Sequence, residues 1–303
     1  MDASSVRLRP SLEEIEFRSI AFRGKDNLLI AAETCGAEGG QHVILLPGLG
    51  RTRRSWREAA FELAADGYRV TSIDLRGHGN SGWPRDEDYS LSALVDDLQA
   101  ILRQQDGQPV LIGASIGGAA ALMAASGAMR GEVAGLGLVD ILPSASRDGC
   151  SSFERFMAEC DCGFDTIDEA SNKATRFFHA GLVHETPKEV QSSLRRGFDG
   201  RFYWHWDPAT VRLRGDLSRN DLIRKAFGAN SSFNVPTLLV TGAGGDRADQ
   251  CFIDDFRALA PHVQWVDVSS LSNEKPRPAM QLAVPPLMKF IRTHWPTCRA
   301  EIH

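Results

Sequence analysis

Ser115 lies in Gly113-Ala114-Ser115-Ile116-Gly117, a G-x-S-x-G spacing. That spacing can present a serine hydroxyl on a sharp bend, because only small neighbours tolerate the crowded backbone there. The chemistry would be nucleophilic attack on a carbonyl carbon. A hydroxyl at a helix N-terminus sits where partial positive charge favours the developing anion. A second segment, Pro47-Gly48-Leu49-Gly50, can aim a backbone N–H at the resulting oxyanion. The amides of Leu49 and Ile116 are the expected pair of donors. A glycine-rich turn with an ordinary serine, and a plain strand–helix turn, are the alternatives at the two places. Arg51, Arg53 and Arg54 crowd the same loop. Arg51 and Arg54 are candidates for holding a substrate carboxylate or phosphate, against a solvated basic turn.

These groups need a rigid frame, and the chain alternates short apolar runs with amphipathic stretches, the pattern of βαβ units. The apolar spacing predicts an early hairpin over 17–22 and 28–32. It then predicts strands at 42–46, 69–73, 110–114, 134–139, 236–240 and 263–268. His42 to Leu46 is nearly all apolar, as expected of a strand covered on both faces. Leu91, Leu94, Leu98 and Ile101 mark a helix face, with Ser90 as its N-cap. The rhythm breaks from about Pro143 to Ser232, a stretch of helical pattern carrying Trp204-His205-Trp206-Asp207-Pro208. The expected architecture is α/β. Residues 1–142 and 233–303 form one mostly parallel eight-stranded sheet with its helices, and 143–232 form an inserted helical lid. Trp204 is a candidate pocket wall or a packing residue between lid and body.

The chain resembles the α/β-hydrolase superfamily over nearly its whole length. Asp74-Leu75-Arg76-Gly77-His78-Gly79-Asn80-Ser81 is similar to its D-x-R-G-x-G-x-S signature, and Gly113 to Gly117 to its nucleophile elbow. Pro47 to Trp56 resembles H-G-G-G-Q-T-R-H-S-W of one bacterial lidded subfamily, which also carries a W-H-W-D-P motif. The resemblance implies the α/β-hydrolase fold, Ser115 as nucleophile and Asp246 as the acid, with Asp249 and Asp140 as lesser candidates. It also implies a histidine after the last strand. At that place stands Ser269-Ser270-Leu271-Ser272-Asn273-Glu274, so Asn273 occupies the expected base position, and no histidine occurs between His262 and His294. The family histidines expected at Pro47 and Arg54 are also missing. Pro285-Pro286 should block hydrogen bonding at the start of the final helix.

An amide is no base. Losing a triad member typically lowers turnover by ~10⁴–10⁶. Three readings follow. Another group supplies the base (His179, His184 or His205 from the lid, His78 at the cleft edge, or Glu274). Alternatively the site does non-hydrolytic lyase, isomerase or cyclase work on a carbonyl compound, or it is a catalytically dead pocket that binds a small molecule.

The whole-chain numbers bound these readings. The 303 residues are 43% hydrophobic and 24% charged, values of an ordinary globular protein. A net charge of −5 leaves no basic surplus for nucleic acid. The long polar-poor run 111–129 reads as a buried strand, turn and helix rather than a membrane span. The first residues lack an apolar signal core, so a cytoplasmic location is expected. In that setting the six cysteines are reduced thiols, and Cys160-x-Cys162 lacks the second pair of a zinc site. No cofactor and no metal are implied; the expected partner is a small-molecule substrate. Nothing in the sequence sets an oligomeric state.

Overall fold

The computed structural model describes residues 14–127, 129–141, 152–179, 190–191, 193–210, 222, 226–227, 233–242, 247–268 and 279–297. An eight-stranded sheet forms its centre. In chain order its strands are β1 (Arg18–Arg23), β2 (Leu29–Gly36), β3 (His42–Leu46), β4 (Arg69–Ile73), β5 (Val110–Ala114), β6 (Gly135–Val139), β9 (Thr237–Thr241) and β10 (Gln264–Asp267). Their spatial order is β1-β2-β4-β3-β5-β6-β9-β10. β2 pairs antiparallel with β1 and β4, and every other pairing is parallel. The α/β architecture and the mostly parallel eight-stranded sheet are therefore as the sequence predicts.

Alternation along the strands builds two cores. Ile44, Leu46, Leu111, Leu136 and Leu138 face one side, under α2 (Leu91–Leu102), α3 (Ser115–Ser126) and α6 (Arg247–Leu259). Val43, Leu45, Val110, Ile112 and Val240 face the other, under α1 (Arg57–Ala65) and α7 (Ala279–His294). Covering both faces explains why the inner strands are apolar without interruption. α2 begins where expected, because the Ser90 hydroxyl accepts the Ala93 N–H at 3.2 Å.

α7 runs through Pro285 and Pro286 rather than starting beyond them. Pro285 is exposed and Pro286 half-buried, whereas Val284, Leu287 and Met288 are buried. The prolines therefore lie toward the outer face, where carbonyls left without an N–H partner can meet water. Burial of the inner face holds the helix together.

Between β6 and β9 the chain leaves the sheet. It forms α4 (Ser152–Glu159), α5 (Ile167–His179) and a hairpin of β7 (Leu194–Arg196) and β8 (Phe202–Trp204). The hairpin departs from the helical pattern expected of 143–232. Its turn, Gly197 to Gly200, is closed by Gly197 N–H on the Arg201 carbonyl at 2.8 Å. Three-residue strands are too short for alternation to show in sequence. Phe156, Met157, Cys160, Phe164, Trp204 and Trp206 form a third apolar cluster here, with Leu49 packed against it. The expected boundary 142/143 of this insertion lies outside the described residues, and of 232/233 only Phe233 is described.

Candidate active site

Ser115 is the first residue after β5, and β5 lies between β3 and β6. Chain connections leave β5 on both sides, so the loops after β3 and β6 flank Ser115, the arrangement in which open α/β sheets bind ligands. The register pairs Ala114 with Val139 and Gly113 with Leu46. Asp140 and the Pro47 loop thus emerge beside Ser115. Ser115 has φ 48°, in the left-handed region that serine rarely occupies. Its residue is exposed, while Ala114 and Ile116 on either side are buried. The bend requires its glycines. A Cβ on Gly117 would stand 2.3 Å from the Pro47 carbonyl oxygen. Gly48 brings bare main chain against the serine, since a Cβ there would lie 3.3 Å from the Ser115 Cβ. Ile116 follows Ser115 at the N-terminus of α3, and Leu49 follows Gly48.

Asp140 is the other non-glycine residue with positive φ at a strand end, at 45°. Its carboxylate accepts the Gly242 N–H at 2.6 Å, and its own N–H donates to the Val240 carbonyl at 3.0 Å. It therefore anchors the main chain where it leaves β9.

The loop after β4 spends its polar groups on structure. Asp74 is fully buried; it accepts the Arg53 N–H at 2.7 Å and the Asn80 N–H at 2.9 Å, and it pairs with the Arg53 guanidinium. Arg53 also approaches Glu33 at 3.4 Å, so the middle arginine of the Arg51–Arg54 cluster faces inward. Arg51 is half-buried and Arg54 exposed. Arg76 grips the buried Asp97 of α2 with two bonds, 2.6 and 2.8 Å long. Ser81 donates to the Asp74 carbonyl at 2.7 Å and accepts the Ala31 N–H at 2.9 Å. Asp97 was not among the expected functional residues. Its only sequence signal is a carboxylate next to Leu98 on an otherwise apolar helix face.

The two histidines considered as replacement bases from this side are engaged with backbone. His78 Nε2 accepts the Gly50 N–H at 2.9 Å, which places its proton on Nδ1, 2.9 Å from the Arg76 carbonyl oxygen. Burial lowers its pKa, against the pull of the Arg76 backbone bond and the Asp74 and Asp207 charges. His205 Nδ1 accepts the Gly79 N–H at 3.0 Å. Burial, with His78 adding, pushes His205 down to about 3. Both rings are therefore neutral near pH 7.

The Trp204 to Asp207 segment fastens the insertion to the body. Trp204 is buried and stacks on Trp206 with ring centres 4.9 Å apart. This places it inside the third cluster. Asp207 donates its N–H to the Gly77 carbonyl at 2.7 Å, and its carboxylate accepts the Tyr89 hydroxyl at 2.6 Å.

Ser115, Ile116, the Gly48–Leu49 loop and Asp140 are thus brought together. His184, Asp246, Asn273 and Glu274 lie outside the described residues, as do the side chains of His179 and Asp249. Among the described residues no helix is long and apolar enough to cross a membrane.

Residues 43–277 match the Alpha/beta hydrolase family, and the chain belongs to that family. It is 25% identical over 263 residues to the esterase Rv0045c of Mycobacterium tuberculosis, covering 79% of this chain and 80% of that protein. It is 30% identical over 225 residues to the lipase LipV of the same organism, covering 73% and 79%. It also matches protein phosphatase methylesterases, spanning 58% of the Caenorhabditis elegans protein and 42% of the bovine one. An α/β hydrolase from Novosphingobium aromaticivorans superposes with a TM-score of 0.70 at 19% identity, over 91% of this chain and 98% of that one.

Proposed function

We propose that the protein is an enzyme acting on a small ester or related carbonyl substrate through Ser115. The observation that carries this reading is Ser115 itself, a strained, exposed serine held at the end of β5 against bare main chain. Backbone strain at a strand-to-helix bend persists where the surroundings enforce it, and it aims the side chain outward. The similarity to an esterase and a lipase supports the same class of substrate. In this mechanism the Ser115 oxygen attacks the carbonyl carbon, and the amides of Leu49 and Ile116 receive the charge that forms on the carbonyl oxygen. Asp246 supplies the acid. Asn273 stands where the base is expected, so the serine proton passes to another acceptor, and His179, His184 and Glu274 are the candidates. Residues 143–232 act as a lid over the pocket, with Trp204 within it, and Arg51 and Arg54 border the entrance as candidate contacts for an acidic substrate.

The vacancy at Asn273 favours a second reading, in which the same donors stabilise an enolate in a lyase, isomerase or cyclase reaction, or merely bind a carbonyl ligand. Hydrolysis of p-nitrophenyl butyrate by the wild type and Ser115→Ala separates them. The expected result is turnover that falls at least ~10³-fold in the variant. Equal rates in both proteins reject Ser115 as the nucleophile. Asn273→His should raise the rate; no change would mean that this position does not face Ser115.

A further inference from the structure

His78 and His205 are both buried, and their ring centres are 6.0 Å apart. His78 holds the Gly50 N–H and the Arg76 carbonyl. His205 holds the Gly79 N–H, directly beside His78 in the loop after β4. Gly50 of the loop after β3 is thus held through two imidazoles in series, His78 on Gly50 and His205 on Gly79 beside His78. One of them comes from the loop after β4 and the other from the insertion.

We propose that His78 is a positioning residue that clamps the Gly50 main chain, with His205 bracing the His78 loop through Gly79, and that the pair so sets the direction of the Leu49 amide. On one side of Leu49 the Gly48 carbonyl accepts the Arg51 N–H at 3.1 Å, and on the other Gly50 is held by the clamp. The peptide between two fixed points has little freedom left. The Leu49 side chain adds to this by packing against both the sheet core and the inserted cluster. A buried Gly50 N–H needs an acceptor, and a neutral imidazole supplies one without placing a charge beside the forming oxyanion. The charged groups facing the pair are Asp74, Asp207, Arg51 and Arg76. Because His205 belongs to the insertion, it ties the insertion to the loop whose His78 holds Gly50. This inference rests on the reading of Leu49 as an oxyanion donor.

Two substitutions separate the clamp from simple packing. In His78→Gln the carboxamide oxygen reaches the place of Nε2 and can accept the Gly50 N–H. In His78→Asn the shorter side chain reaches only the place of Nδ1 and keeps the Arg76 bond alone. With p-nitrophenyl butyrate, His78→Asn should lower kcat about 10- to 100-fold while KM stays within about threefold, and His78→Gln should recover most of kcat. Amide hydrogen exchange over residues 48–51 should speed up in His78→Asn and stay near wild type in His78→Gln. Equal kcat and equal exchange in the two variants would overturn the proposal. If the wild type hydrolyses no ester, the reading of Ser115 as nucleophile fails, yet exchange still decides the clamp. If neither variant folds, the ring-nitrogen NMR spectrum of the wild type decides. It should show His78 protonated at Nδ1 and His205 at Nε2, and the opposite tautomers would refute the clamp.

Discussion

Two loops at the same end of the sheet differ in what they do with their side chains. After β4, residues 74–81 carry an aspartate, an arginine, a histidine and a serine, and each is buried and bonded inside the protein. After β5, residues 115–118 carry one hydroxyl among small and apolar neighbours, and Ser115 is exposed and strained. The more reactive-looking loop is scaffold, and the plainer one holds the exposed hydroxyl. Charged groups buried this completely are consumed by their partners, so a motif rich in them tells more about loop shape than about chemistry. The bend after β5 trades local strain for exposure of a single oxygen.

The contrast can be broken from either side. The largest effect should come from Asp97→Ala, which leaves the buried Arg76 without its carboxylate. A loss of about 3–5 kcal/mol is expected in denaturant unfolding. A loss below about 1 kcal/mol would show that the loop after β4 does not depend on this pair. Next is pH. His42 is pushed down to about 4 by burial, with Arg69 adding, and His205 down to about 3. An unfolded histidine titrates near 6.5. Between those values the unfolded chain binds protons that the folded chain does not. The contribution is therefore full above about pH 6.5 and is lost as pH falls. On the order of 3 kcal/mol should vanish between pH 7 and 5, read as a falling Tm, and a flat Tm over that range contradicts the buried neutral rings. Gly117→Ala should cost about 1–3 kcal/mol, because the methyl meets the Pro47 carbonyl, and melting at wild-type temperature would show that the bend can yield. The smallest effect runs the other way. Ser115→Gly should stabilise the fold by up to about 1 kcal/mol by relieving the positive φ while removing the proposed nucleophile, and calorimetry would detect it. A destabilised Ser115→Gly would mean that the serine makes contacts worth more than its strain.

Local pattern made most of the frame legible. The inner strands announced themselves as apolar runs, Ser90 as a cap and Gly113 to Gly117 as a bend, because each depends on residues within a few positions of one another. What pattern missed depends on distant partners. Asp97 gains its meaning from Arg76, 21 positions away, and His205 from Gly79, 126 positions away. Such pairings leave no trace in periodicity. The continuation of α7 through Pro285 and Pro286 was illegible for a similar reason, since apolar burial on the opposite face decides it. The hairpin of β7 and β8 was missed because three residues are fewer than two periods of a strand.

Gly48 has a consequence for anyone who would reshape the cleft. The wall beside Ser115 is already built from the smallest possible residue, so no substitution there can enlarge it. Every replacement at that position narrows the approach, which makes it a dial that turns in one direction. Broader substrate acceptance has to be engineered on other walls.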